Sequence, residues 1–338
     1  MRTRLFDGSS SADLDEAARL LREGRLVAFP TETVYGLGAH ALDPLAVRGI
    51  YSAKGRPATN PLIVHVEGVA QARALSTAWP AQAALLAARF WPGPLTLVLP
   101  RAPVVPDEIA AGGPTVALRV PAHPAARALL ARAGVPLAAP SANRAEHVSP
   151  TTAAHVRADL DGRIDGIVDG GPCALGIEST VLLLHPDGSA PPRLLRTGAI
   201  SREELSAALG VPVQSELDAR PHDAGPAASP GMSARHYAPA GIVRLVPAAR
   251  LDETARALAQ AGHRVGALVH GVPDTRKPPA AASFFRLPSD AAGYARGLYA
   301  ALRALEEHGC DAILLQEVPP DAAWEAVSDR LRRASASA

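Results

Sequence analysis

Residues 25–38 read RLVAFPTETVYGLG, and the fold turns on how this stretch changes character at Pro30. Arg25 to Phe29 has the length and apolar content of a short buried strand, with Gly24 as the stop of whatever precedes it. Thr31, Glu32, Thr33 and Tyr35 follow at once, placing small hydroxyls and a carboxylate where α/β proteins set ligand groups, at the end of a strand. The plainer reading of the same residues is a capped turn. Gly36 to Ala41 matches the GxGxxA spacing of a dinucleotide loop. Pro44 sits in the helix that such a loop needs, however, and Ser52 to Thr59 holds no acid for a ribose, so that reading is set aside.

Upstream, Ser11 or Asp13 caps an amphipathic helix from Leu14 to Arg22. Downstream, the spacing predicts a short helix from Asp43-Pro44 through Tyr51, a strand Pro61 to Val66, a helix Ala81 to Phe90 and a strand Leu95 to Leu99. Thr115 to Val120 and Leu137 to Ala139 read as strands on either side of a helix Pro124 to Ala133. Strands at Gly166 to Val168, Thr180 to His185 and Arg193 to Arg196 precede a helix Arg202 to Leu209 that opens with a capping box, Ser201 and Glu204. The class is α/β with a mixed sheet, because the late strands run too closely together for a doubly wound parallel one. Residues 1–210 are read as this larger domain. Residues 211–240, with Pro212, Pro221, Pro226, Pro230 and Pro239, lack either periodicity and are read as a linker.

Residues 241–338 then describe a smaller α/β domain: strand Ile242 to Val246, helix Ala248 to Ala261, strands Val265 to His270 and Phe284 to Leu287, helix Ala291 to Glu307, strand Ala312 to Gln316 and helix Ala322 to Arg332. The Ala/Ser tail from Ala334 is expected to fray.

Composition narrows the function classes. With 34 Lys+Arg against 33 Asp+Glu the formal net charge is +1, which argues against a bulk polyanion binder. The chain is 48% hydrophobic and 20% charged, enough to bury cores and not the composition of a disordered chain. Arg supplies nearly all the cations: there are only two Lys, Lys54 and Lys277, and only two Asn, Asn60 and Asn143, so each of these is informative. Cys173 and Cys310 have neither disulfide-framework nor zinc spacing, and no apolar segment is long enough to span a membrane. The expectation is a soluble cytoplasmic protein without membrane partners. P-loop, GxSxG, HExxH and CxxC motifs are absent, which removes the common nucleotide-hydrolase, triad and zinc readings.

Four clusters carry chemistry. One is the Thr31–Thr33 group. A second is KGRPATNP, residues 54–61, where Lys54 and Arg56 flank a Gly inside a proline-stiffened loop; a point charge and a planar fork together suit a polyphosphate, against the ordinary alternative of solvated surface charge. The third is PSAN, residues 140–143, with Ser149-Pro150-Thr151 read as capping the next helix or holding an anion. The fourth is GIESTV, residues 176–181, joined by Arg119 in the apolar run VALRV. A buried guanidinium needs an anionic partner, either internal, such as Glu178, or a ligand carboxylate.

Taken in order, PTETVYGLG, KGRPATNPLIVHV, PSAN with SPT, GIESTV and the linker's SPGMSARHYAP closely resemble the threonylcarbamoyl-AMP synthases of the YrdC-domain type in their two-domain form, over nearly the whole chain. The resemblance implies a YrdC-like twisted mixed sheet with helices and a smaller Rossmann-like C-terminal domain. It implies a nucleotidyltransferase that joins L-threonine, bicarbonate and ATP, with Mg2+ bound through ATP, releases pyrophosphate and serves threonylcarbamoyladenosine formation in tRNA. The family signature, Lys-x-Arg with Ser-x-Asn, falls on Lys54, Arg56, Ser141 and Asn143, with Lys54 and Arg56 in the catalytic role. By the same resemblance Thr33, His65, Arg119, Ala139 and Ser179 contact threonine, while Arg56, Asn60, Thr115, Ser141, Asn143, Ser149, Arg196 and Tyr237 surround ATP. The partners implied are these small molecules and a tRNA threonylcarbamoyl transferase that takes up the product, with contact to tRNA itself left open.

This chain departs from the family pattern at Thr197-Gly198, where Pro-Gly is usual, at Ala145-Glu146 for Ser-Gly, and at Ser233-Ala234 for Lys-Tyr. Residues Ser229 to Tyr237 are read as a lid over the site, the alternative being a tether. Two other functions fit the fold family: a double-stranded RNA-binding module, for which no RNP-type motif is present, and a carbamoyl-adenylate-forming enzyme, whose zinc-finger cysteines are missing.

Overall fold

The computed structural model describes residues 2–188, 190–215, 239, 241–271 and 278–336. The chain divides into two compact units. One comprises Met1–Ala145, Pro150–Ala174 and Glu178–Met232; the other comprises Ser233–Ala338 with the short segments Glu146–Ser149 and Leu175–Ile177.

In the first unit a single mixed sheet takes β1 (Arg4–Asp7), β2 (Val27–Phe29), β3 (Gly36–His40), β4 (Ile63–His65), β5 (Leu95–Pro100), β6 (Thr115–Arg119), β7 (Leu137–Ala138), β8 (Gly166–Asp169), β9 (Thr180–Leu183), β10 (Arg193–Arg196) and β11 (Gln214–Ser215). Their order is β1-β8-β2-β3-β7-β4-β6-β5-β9-β10-β11. Side-chain alternation along β2 shows why both faces are covered. Val27 and Phe29 enter one apolar cluster with Leu14, Ala18 and Leu21 of α1 (Ser11–Arg22) and Leu129 of α6 (Pro124–Ala133). Ala28 points the other way, into a larger cluster with Val47 and Ile50 of α2 (Pro44–Lys54), Leu86 of α4 (Ala81–Phe90), Val156 of α7 (Ala153–Leu160) and Leu205 of α8 (Arg202–Leu209).

The helices α4, α6 and α8 and the strand β10 lie where the sequence places them, and Ser201 and Glu204 form the reciprocal capping box. Other segments differ for identifiable reasons. β1 escapes a hydrophobicity reading because only Phe6 in it is buried. The N-cap of α1 is Ser10, which accepts from the Asp13 amide, rather than Ser11 or Asp13. The cap of α7 is Thr152, accepting from His155, rather than the Ser149–Thr151 group.

The short helices α3 (Val69–Ala74) and α5 (Asp107–Ala110) are too brief to show a period. Most tellingly, the glycine-rich run at 36–40 is a strand, antiparallel to β2. A Cβ on Gly38 would lie 2.9 Å from both the Phe29 ring and the Val27 carbonyl, so the glycine permits close strand approach rather than a phosphate turn.

The second unit is a parallel sheet in the order β12-β15-β13-β14, formed by β12 (Ile242–Val246), β13 (Val265–His270), β14 (Ser283–Leu287) and β15 (Ala312–Gln316). The helix α9 (Leu251–Gln260) connects β12 to β13, α10 (Ala291–Glu307) connects β14 to β15, and α11 (Glu325–Ser335) follows β15. This is the smaller α/β domain expected. Single 3-10 turns at Ala248–Arg250 and Ala322–Trp324 replace the first turns of two expected helices. α11 continues to Ser335 with Ala334 buried, where fraying was expected. Among the described residues no helix is long and apolar enough to cross a membrane.

Candidate active site

The signature residues meet where α2 ends. Asp43 caps that helix at its start, Pro44 opens it, and Gly55 closes it in the left-handed region at φ 64°. Lys54, its last residue, is 2% exposed. Its Nζ donates to the backbone carbonyls of Ser141 and Asn143 and lies 3.5 Å from Asn143 Oδ1. The clamp is reciprocal, since the Ala145 amide donates to the Lys54 carbonyl at 2.9 Å. The other side of the same loop is tied to β3 and the residues before it: Leu37 N donates to Pro140 O and Ala142 N to Tyr35 O, both at 2.8 Å. Burial, with Arg56 nearby, pushes the Lys54 ammonium well below its ordinary pKa, and Asp159 opposes this. The Lys-x-Arg and Ser-x-Asn pairs are thus one physical unit.

Arg56 is also buried. Its Nε donates to Asn60 O at 3.3 Å and its Nη2 to Pro61 O at 3.0 Å, so the proline-flanked loop wraps its own arginine. Tyr51, one turn before Lys54, donates to Glu108 O at 2.7 Å and steadies the same loop through Asn60 O at 3.3 Å. Asn60 Oδ1 is buried and has no hydrogen-bond partner among the described residues, which leaves it an acceptor for a ligand.

The residues assigned to threonine gather around the middle of the sheet. His65 and Arg119 are register neighbours on the parallel strands β4 and β6. The His65 ring stands edge-on to Phe29 at 5.8 Å with its Nδ1 unpartnered, and burial, reinforced by Arg119, holds it neutral with a pKa well below 6.5. Ala139, buried just past β7, donates its amide to Ile63 O at 2.9 Å, beside His65's strand.

Arg119 pairs with Glu32, not with Glu178: its Nη2 donates to Glu32 Oε1 at 2.6 Å and its Nη1 to Thr33 Oγ1 at 2.9 Å. The Ala122 amide donates to the second Glu32 oxygen at 2.9 Å. Burial alone raises the Glu32 carboxyl, but the Arg119 charge and these hydrogen bonds outweigh it and hold it below 4.5. Glu32 stands in the quoted cluster; what the sequence lacks is any sign of pairing across 87 residues.

Ser179 joins the two assigned groups. Arg196 donates from Nη2 to Ser179 Oγ and from Nε to Ser179 O, both at 3.0 Å, so a residue assigned to ATP positions one assigned to threonine. Thr96 Oγ1, which the sequence reading passed over, lies 2.7 Å from Ser179 Oγ, and both side chains are fully buried. The loop after β10 must pass close to this strand: a Cβ on Gly198 would come within 2.3 Å of Thr180 N.

Thr115 opens β6 half-buried, four residues before Arg119, and among the described residues makes no hydrogen bond to Arg56 or Ser141. Ser149 is buried in the short segment that clusters with the second unit. Tyr237 and the expected lid Ser229 to Tyr237 lie outside the described residues. What the first unit assembles is a set of buried cations and hydroxyls beside a neutral imidazole, suited to gripping carboxylate and phosphate groups and holding them in place.

Residues 19–198 match a protein family described as telomere recombination, and residues 200–336 match one described as threonylcarbamoyl-AMP synthase, C-terminal domain. A threonylcarbamoyl-AMP synthase of Pyrococcus abyssi is 44% identical over 326 residues, covering 94% of this chain and 93% of its own. One from Bacillus subtilis is 42% identical over 334 residues, covering 97% and 94%. The crystal structure of P. abyssi Sua5 complexed with L-threonine superposes with a TM-score of 0.90 at 41% identity, covering 99% of this chain and 98% of that one.

Proposed function

This chain belongs to the threonylcarbamoyl-AMP synthase family, and from that premise we propose that it is an enzyme joining L-threonine, bicarbonate and ATP into threonylcarbamoyl-adenylate. The observation that carries this reading is the Lys54 clamp on Ser141 and Asn143 standing in the same unit as the Arg119–Thr33–Glu32 cluster. One set suits a triphosphate and the other an amino-acid carboxylate.

In the proposed reaction the amino group of threonine captures the carbon of bicarbonate and water is lost. The resulting carbamate oxygen attacks the α-phosphorus of ATP in line, and pyrophosphate leaves. No protein nucleophile enters, so catalysis is positioning and charge neutralisation. Arg119, held by Glu32, grips the threonine carboxylate. His65, which burial holds neutral, keeps one ring nitrogen unpartnered among the described residues on the strand next to Arg119. Arg196, through Ser179, ties the threonine side to the nucleotide side. Lys54 and Arg56, with Asn60, Ser141 and Asn143, neutralise and orient the phosphates.

The groups around Lys54 and Arg56 are cations, a hydroxyl and amides, which suits a Mg2+ that arrives on the phosphates rather than one held by protein ligands. A Mg2+ carried there on the phosphates would supply charge neutralisation alongside Lys54 and Arg56. Within the first unit Thr115 is the remaining proposed nucleotide contact, and the product passes to a tRNA threonylcarbamoyl transferase.

Pyrophosphate release from ATP should require threonine and bicarbonate together. Release that proceeds at the same rate with either omitted overturns the proposal.

A further inference from the structure

Arg119 already has an internal counterion before any substrate arrives. Its Nε donates to Gly93 O at 3.2 Å, Nη1 to Thr33 Oγ1 at 2.9 Å and Nη2 to Glu32 Oε1 at 2.6 Å. A guanidinium has five N–H groups, so among the described residues one remains on each terminal nitrogen, the number that a bidentate carboxylate grip uses. Glu32, at 8% exposed, has both oxygens engaged, the second by the Ala122 amide. The buried Arg119–Glu32 pair therefore carries no net charge.

The neighbouring hydroxyls have a defined polarity. Thr31 Oγ1 donates its one proton to Val34 O at 2.6 Å. The 2.8 Å contact between Thr31 and Thr33 is then donated by Thr33, which accepts from Arg119 and keeps one lone pair. Beside the two free N–H groups of Arg119 the site thus presents an acceptor, suited to an N–H or O–H donor on the ligand.

A plain carboxylate entering here brings an uncompensated negative charge next to Glu32, whereas a zwitterionic amino acid brings its own ammonium and adds none. Like charges in a setting of low dielectric repel strongly. We propose that Glu32 is a specificity-determining residue that makes the Arg119 grip select zwitterionic α-amino acids over hydroxy acids lacking the amino group. This rests on the assignment of Arg119 to the threonine carboxylate and deepens it, naming the group that distinguishes an amino acid from other carboxylates.

The test is calorimetric titration of the full-length protein with L-threonine and with 3-hydroxybutyrate, which keeps the carboxylate and hydroxyl and lacks the amine. The proteins compared are the wild type, Glu32→Gln and Glu32→Asp, each checked for fold by circular dichroism. The wild type should prefer threonine, Glu32→Gln should narrow that preference by about tenfold or more, and Glu32→Asp, which keeps the charge, should largely retain it. A preference unchanged by Glu32→Gln assigns the discrimination to Thr33 and overturns the role of Glu32. Equal binding of the two ligands by the wild type overturns it without recourse to any variant. Failure of the wild type to bind threonine at all overturns the proposed function itself, and this inference with it.

Discussion

Lys54 shows how one side chain can be both brace and charge. Its ammonium is satisfied by carbonyls rather than by a carboxylate, so its positive charge stays available to an anion while its bonds hold the Ser141–Asn143 loop. Lys54→Ala removes both roles, and turnover in a pyrophosphate-release assay should fall by at least ~10²-fold, the scale of a deleted electrostatic donor. Retained turnover would leave Lys54 without a catalytic part. Two other buried groups predict separate acid sensitivities. The folded state keeps a proton off His65, whose pKa lies well below 6.5, so the unfolded chain binds one proton more as pH falls through 6.5. Stability should drop there by up to about 1.4 kcal/mol per pH unit.

Glu32 acts lower: its pKa is depressed from 4.5, so its contribution is whole above pH 4.5 and is lost as pH falls through the depressed value. Denaturant unfolding at several pH values should show His65→Asn flattening the pH slope just below 6.5, and Glu32→Gln flattening it only below 4.5. Slopes identical to wild type in both variants would contradict these assignments.

Among the elements, the loop from β10 into α8 is tightly constrained where it passes Gly198. Gly198 lies so close to Thr180 that an added methyl group must move the start of β9, where Ser179 receives Arg196. Gly198→Ala should therefore cost about 1–3 kcal/mol, as overpacking does, and raise the KM for threonine along with it. Ser201→Ala, at the neighbouring cap, should cost about 1 kcal/mol in thermal unfolding and leave KM unchanged.

Caps and helix periods are local, and α4, α6 and α8 were readable because their signals lie within a few residues of one another. β3 was not, because its glycines answer to Phe29 and Val27 across the strand pair, and a spacing of glycines fits a phosphate loop equally well. The cap of α7, Thr152, lies one residue beyond the group read as its cap, since Ser149, Thr151 and Thr152 fall within four residues and local sequence alone does not choose among them.

For the whole molecule, composition foreshadowed the site better than its overall charge did. The +1 total says only that no bulk polyanion is sought. Yet of two Lys and two Asn in 338 residues, three converge: Lys54 lies on Asn143, and Asn60 accepts from Arg56 through its carbonyl. Scarcity made those residues conspicuous. The partner of Arg119 was not conspicuous, because a carboxylate 87 residues away is one of many until the sheet sets β6 near the residues that follow β2.

The measurement closest to the central claim is mass spectrometry of the product formed from L-threonine, ATP and 13C-bicarbonate. A single adenylate containing threonine and AMP, heavier by one mass unit than the product from ordinary bicarbonate, is the predicted result. An unlabelled threonyl-adenylate, or AMP without any threonine adduct, would contradict it.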